Sequence, residues 1–118
     1  MLRRLGAALA VVIALCSATE AAPVCAGTWA VASWYGPGFH GRTTASGETY
    51  NQNGLTAAHK TLPFGTKLRV SYKGKSVVVR ITDRGPYIKG RSLDLSRGAA
   101  RSIGLIPAGV AKVCMSRL

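Results

Sequence analysis

Few side chains in this chain can move a proton: four acids and two histidines in 118 residues, against 16 lysines and arginines. Asp83 is the most suggestive of them. It follows the apolar run Ser76-Val-Val-Val-Arg-Ile81 and begins the segment Asp83-Arg-Gly-Pro-Tyr87. A strand end can fix a carboxylate, and Tyr87, behind the Gly-Pro turn, can stack on a pyranose ring. The same aspartate can equally organise the turn by accepting backbone N–H bonds. Glu48 lies in the polar stretch Thr44-Ala-Ser-Gly-Glu-Thr-Tyr50 and reads on its own as an exposed glutamate. His59 closes Thr56-Ala-Ala-His59, where a lone histidine is more often structural than catalytic. Asp94 sits between Leu93 and Leu95, so strand alternation points it away from two apolar neighbours. It can line a barrel mouth, pair with an arginine or face solvent.

Other chemistries are poorly supported. Gly36-Pro-Gly-Phe-His-Gly41 matches a dinucleotide-binding glycine pattern in letters, but loop-like residues follow it where a helix is required. The histidines and cysteines lack metal-ligand spacing, and no G-x-S-x-G elbow occurs. Neither a metal nor a cofactor is implied.

The elements that must position these residues are short. Lys67–Tyr72 alternates polar and apolar residues, Ser76–Ile81 is nearly continuous and β-branched, and Lys73-Gly-Lys75 between them reads as a tight turn. Ala30–Tyr35, Leu55–His59, Ser92–Leu95 and Val110–Cys114 are further strands. Ser96 caps a helix over Arg97–Ile103, which Gly104 stops. Six short strands and one short helix make an all-β domain, read as a compact closed barrel with a small sandwich as the alternative.

The N-terminus reads as an export signal. Arg3 and Arg4 precede the uncharged run Leu5–Ala18, which is shorter than the ~20 residues that span a bilayer. Cleavage after Ala21 gives a signal peptide of residues 1–21 and a domain of 22–118; cuts after Ala18 or Ala26 also satisfy the small-residue rule. Lipoprotein anchoring through Cys16 is disfavoured, because Leu15 is not the small residue expected before an acylated cysteine. The net charge of the whole chain is +12. Loss of Arg3, Arg4 and Glu20 leaves fourteen basic residues against Glu48, Asp83 and Asp94, a net of +11. Such a surface is drawn to polyanions through a field that salt screens. Nucleic acid, an anionic envelope and an acidic wall polymer all fit that charge, although no nucleic-acid-binding motif is present and export argues against specific nucleic-acid binding. In an oxidising compartment Cys25 and Cys114 can pair across nearly the whole domain.

Five segments taken together resemble the rare lipoprotein A family, envelope lytic transglycosylases built on a double-psi β-barrel. They are Ala32-Ser-Trp-Tyr-Gly36, Thr44-Ala-Ser-Gly-Glu-Thr-Tyr50, Leu55-Thr-Ala-Ala-His-Lys-Thr-Leu-Pro-Phe-Gly-Thr66, Ile81-Thr-Asp-Arg-Gly-Pro-Tyr87 and Leu93-Asp-Leu-Ser96. The resemblance implies a six-stranded double-psi barrel with one short helix. It also implies cleavage of peptide-free peptidoglycan glycan strands, leaving 1,6-anhydromuramyl ends. It places catalytic roles on Asp83, Glu48 and His59, with Asp83 the main acid/base. Tyr35, Arg84, Tyr87 and Asp94 are the expected substrate-binding residues. A carboxyl group working near neutral pH needs burial or a neighbouring like charge, whereas Arg84 and the positive field oppose that shift. A monomer in the periplasm or cell envelope, associated peripherally with the wall, is expected. A non-catalytic, expansin-like glycan-binding module is the alternative.

Overall fold

The computed structural model describes residues 24–118; the expected signal peptide, residues 1–21, and Cys16 lie outside the described residues. The strands are β1 (Thr28–Tyr35), β2 (Thr56–His59), β3 (Lys67–Tyr72), β4 (Lys75–Asp83), β5 (Leu93–Ser96) and β6 (Ala111–Arg117). They close in the order β1-β5-β2-β4-β3-β6, with β6 antiparallel to both β3 and β1. That closure makes a barrel and excludes a sandwich. Two pairs, β1 with β5 and β2 with β4, run parallel; the others are antiparallel.

Alternation drives the closure. On β3, Leu68 and Val70 are buried while Lys67 and Arg69 are exposed; on β4, Val77, Val79 and Ile81 face inward. Leu93, Leu95 and Val113 complete the interior, with Ala30, Ala32 and Ala57 on β1 and β2. Each fully buried branched side chain contributes about 1.5–3 kcal/mol. Helix α1 (Arg97–Ser102) adds Ala99 and Ala100 to the core, with Ile103 and Leu105 just beyond it.

Several boundaries differ from expectation for local physical reasons. The β3–β4 hairpin turns on two residues, Lys73 and Gly74, both at positive φ (47° and 83°), so Lys75 pairs with Tyr72 as a strand residue. Such a turn matches the right-handed twist of the flanking strands. β4 continues through Asp83, because pairing with β2 extends the ladder that far. β6 runs past Cys114 to Arg117, held by β3.

Ser96 ends β5 and caps α1. Its fully buried Oγ accepts from the Ala99 N–H (3.2 Å) and the Thr56 N–H (3.3 Å) and donates to the Gly54 carbonyl (2.6 Å). One hydroxyl therefore ties helix, strand and loop together. At the far end of β1, Cys25 and Cys114 form a disulfide, their Cα atoms 5.6 Å apart across a sequence separation of 89.

Candidate active site

β2 lies between β4 and β5, and Ala58 is the residue where the three strands meet. It pairs with Asp94 of β5 on one side and Asp83 of β4 on the other, while Ser33 of β1 pairs with Asp94. A bulge sets this row. Ala57 pairs with Ile81 and Ala58 with Asp83, which makes Thr82 the extra residue. Without that insertion Thr82 would oppose Ala58 and the side chains beyond it would swap faces. At two strand spacings, the aspartate backbones are about 9–10 Å apart. The small Ala58 leaves the space between them open.

Both carboxylates line one cavity of about 400 Å³ at the barrel mouth. Tyr35 at the end of β1, Arg84 and Tyr87 after β4, and Phe39, Arg42, Thr44 and Tyr50 from the loop between β1 and β2 form its walls. The Tyr35 ring stacks on Tyr50 (4.4 Å between centroids) and meets Phe39 edge-on at 5.7 Å. The Tyr50 hydroxyl donates to the Tyr35 carbonyl (2.9 Å) and accepts from the Arg97 N–H (3.2 Å), which fixes this wall. Burial, reinforced by Tyr50, Asp83 and Asp94, holds the Tyr35 phenol well above its ordinary value, so it enters the site protonated. Tyr87 is 78% exposed, a free aromatic face on the rim.

The two aspartates differ electrically. Burial pushes the Asp94 carboxyl up to about 6; the Ser33 hydroxyl (3.2 Å) and Arg91 oppose the shift, and the Asp83 charge adds to it. Asp83 is held by main chain: its Oδ1 accepts the N–H groups of Ala45 and Arg84, both at 2.9 Å. Arg84 is turned away from that carboxylate. Its guanidinium lies 4.0 Å over the Phe64 ring and donates to the His59 carbonyl (3.2 Å).

The structure thus brings together Asp83, Asp94, Tyr35, Arg84 and Tyr87; the side chains of Glu48 and His59 are not part of the cavity wall. Glu48 is on the outer surface in a two-pronged ion pair with Arg80 of β4 (2.6 and 2.9 Å), which lowers its carboxyl pKa. His59 Nδ1 accepts the N–H groups of Thr61 and Leu62, both at 3.1 Å. That demands the neutral ring with its proton on Nε2, and burial with the charges of Arg84 and Lys60 lowers the His59 pKa accordingly. Ser33 and Tyr50 lie in the family-like segments without a signal of their own, and Phe39 and Arg42 carry no functional signal in the sequence. Ser33 is 61 positions from Asp94, and only the parallel β1–β5 register brings them together.

A closed six-stranded barrel with two parallel strand pairs and an acid-lined cavity at one mouth defines a double-psi β-barrel protein. The family model described as lytic transglycolase matches residues 28–115, and the chain belongs to that family, within its RlpA branch. It is 63% identical over 87 residues to the probable endolytic peptidoglycan transglycosylase RlpA of Synechocystis sp., covering 72% of this chain and 27% of that protein. It is 58% identical over 85 residues to the Campylobacter jejuni endolytic peptidoglycan transglycosylase RlpA, covering 70% and 31%. The chain therefore spans less than a third of the length of these two relatives. Among solved structures, an expansin of Clavibacter michiganensis shares the fold at TM-score 0.63 and 24% identity, covering 77% of this chain and 50% of that one. A Streptomyces papain inhibitor does so at 0.60 and 21%, covering 77% and 96%.

Proposed function

We propose that this chain is an endolytic peptidoglycan lytic transglycosylase of the bacterial envelope, with Asp94 as general acid and Asp83 as general base. The observation that carries this reading is the Asp83–Ala58–Asp94 row, which puts two carboxyl groups of unlike environment into one cavity. With its pKa near 6, Asp94 keeps a protonated fraction close to neutrality while remaining a strong enough acid to give the proton up. It protonates the glycosidic oxygen as the bond from that oxygen to the muramyl C1 breaks. Asp83 removes the proton of the muramyl C6 hydroxyl, whose oxygen attacks C1 and closes the 1,6-anhydro ring. One proton is given and one taken, and no water is consumed. The usual carboxylate spacing of hydrolases therefore does not apply. Tyr87 and Tyr35 stack on and border the sugars, and Arg84 faces the muramyl carboxylate.

Glu48 and His59 act at one remove in this reading. Glu48 anchors the loop whose Ala45 N–H holds Asp83, and His59 shapes the turn carrying Phe64, on which Arg84 rests.

The test is incubation of the purified protein with peptide-free glycan strands, followed by mass spectrometry of the products. Anhydromuramyl ends are expected, and they should vanish in Asp83→Asn and Asp94→Asn proteins that retain the wild-type melting profile at pH 4. Strand binding by the wild type with no such ends would overturn the enzyme reading and leave a binding module.

A further inference from the structure

A second concavity lies away from the catalytic mouth, on the outer wall where β1, β6 and β3 run side by side. It measures about 690 Å³ and is lined by Trp29, Tyr72, Lys73, Lys112, Val24 and Cys114, with Ser71 and Gly74 completing it. Trp29 is 42% exposed, a large aromatic surface left open on the protein exterior. Register explains the assembly. Trp29 pairs with Cys114, and Cys114 with Ser71, so one row crosses three strands beside the disulfide. The hairpin turn then brings in Lys73.

The charges here are of one sign. The Lys112 ammonium sits 5.2 Å from the Trp29 ring centre and that of Lys73 5.3 Å from Tyr72. Attraction to the ring faces keeps both ammonium groups at the groove. All three acids of the described residues are elsewhere: Asp83 and Asp94 in the catalytic cavity and Glu48 on Arg80. An apolar floor with two cations at its edges fits a ligand that has both apolar ring faces and negative charges.

We infer that this groove is a second binding site for a carboxylated glycan, the peptide-free peptidoglycan strand itself. Removing the stem peptide frees one lactyl carboxylate on every muramyl residue, which makes the stripped strand a regular polyanion with apolar sugar faces. A polyphosphate offers the charge without the faces, and a neutral glucan the faces without the charge. From Trp29 to Tyr35 β1 covers about 20 Å, so the groove holds polymer well away from the cleavage point. It raises the local concentration of strand at the catalytic mouth without touching the reacting sugars. The inference deepens the proposed function and rests on it for the identity of the glycan.

Co-sedimentation of the purified protein with peptide-free strands tests it, comparing wild type with Trp29→Ala and with Lys73→Glu/Lys112→Glu. Each variant should bind strands at least fivefold more weakly and show a raised KM on them. Both should keep the wild-type kcat/KM on a short glycan fragment that fills only the cavity. Lys67→Glu/Arg69→Glu, on the same barrel wall but outside the groove, should bind nearly as wild type does. Equal loss in that control would overturn the inference in favour of diffuse charge attraction, and so would polyphosphate competing as well as free strand. Unchanged strand binding with a lowered melting temperature would also overturn it, assigning the groove to the chain segment before Val24. A wild type that makes no anhydromuramyl ends but still binds through the groove would defeat the catalytic proposal and leave this one standing.

Discussion

The carboxylates of this protein occupy two unlike regions. Asp83 and Asp94 share a cavity at the barrel mouth, where one is raised by burial and the other is gripped by two backbone N–H groups. Glu48, only a few residues along the loop from Ala45, lies outside in a solvent-exposed pair with Arg80. Proximity in sequence to the loop that holds Asp83 therefore does not bring a carboxylate into the cavity. A carboxyl group prepared for proton transfer needs desolvation or a like-charged neighbour, and of these two regions the cavity supplies both.

The largest effect should come from Asp94→Asn. Activity on glycan strands should fall by about three orders of magnitude, within the range expected on removing a general acid. Stability should move the other way, and with a definite sign. A carboxyl whose pKa is raised in the folded state stabilises fully below its unfolded value of 3.8 and loses that contribution as pH rises through about 6. At pH 8 the ionised Asp94 costs about 3 kcal/mol. The asparagine variant should thus melt higher than wild type at pH 8 and not at pH 4, as read by calorimetry. Equal melting temperatures at both pH values would remove the argument for a strained acid.

A second test sharpens the contrast inside the cavity. The Asp83 charge helps raise the Asp94 pKa, so Asp83→Asn should move the Asp94 titration to lower pH, followed by carboxyl carbon NMR. In the wild type, kcat/KM should decline as pH rises past about 6, as Asp94 loses the proton it must donate. Of the groups around it, Ser33 is uncharged and burial raises the Tyr35 and Tyr50 phenols, so none of these three changes charge between pH 5 and 8.

His59 gives a smaller effect of opposite sense. Its pKa is lowered in the folded protein, so its contribution to stability is complete above 6.5 and is lost as pH falls below that value. Protonating Nδ1 would cost the bonds from Thr61 and Leu62. His59→Gln should flatten this acid-side loss in a melting-temperature series from pH 7.5 to 5. A variant as acid-sensitive as wild type would place the loss elsewhere.

These contrasts also mark what the sequence disclosed. Alternation in Lys67–Tyr72 and Ser76–Ile81 fixed a hairpin, and Ser96 before Arg97-Gly-Ala-Ala marked the helix start, because those signals are local. The scarcity of acids drew attention to Asp83, and alternation correctly pointed Asp94 away from the core. The bulge at Thr82 and the Ser33–Asp94 register were not legible, since both depend on pairing between strands remote in the chain. Nor could the sequence separate Glu48 from the aspartates. Its partner Arg80 is 32 residues away, on the outward face of a strand read chiefly for its buried side.

The finest division concerns that pair. Glu48 holds Arg80 with both oxygens, and its backbone carbonyl accepts from the Thr44 N–H (2.8 Å) and hydroxyl (2.9 Å). Those contacts close the short loop from which Ala45 reaches Asp83. If Glu48 acts only by this tether, Glu48→Gln and Arg80→Met should reduce kcat by a similar few-fold and leave the pH profile of Asp94 unmoved. The exchanged pair, Glu48→Arg with Arg80→Glu, should recover most of the loss. A proton-transferring Glu48 would behave otherwise: Glu48→Gln would be nearly inactive, Arg80→Met nearly normal, and the exchange would rescue nothing. Because the pair is exposed and screened, the tether's effect should also shrink as salt is added, whereas the loss in Asp94→Asn should not.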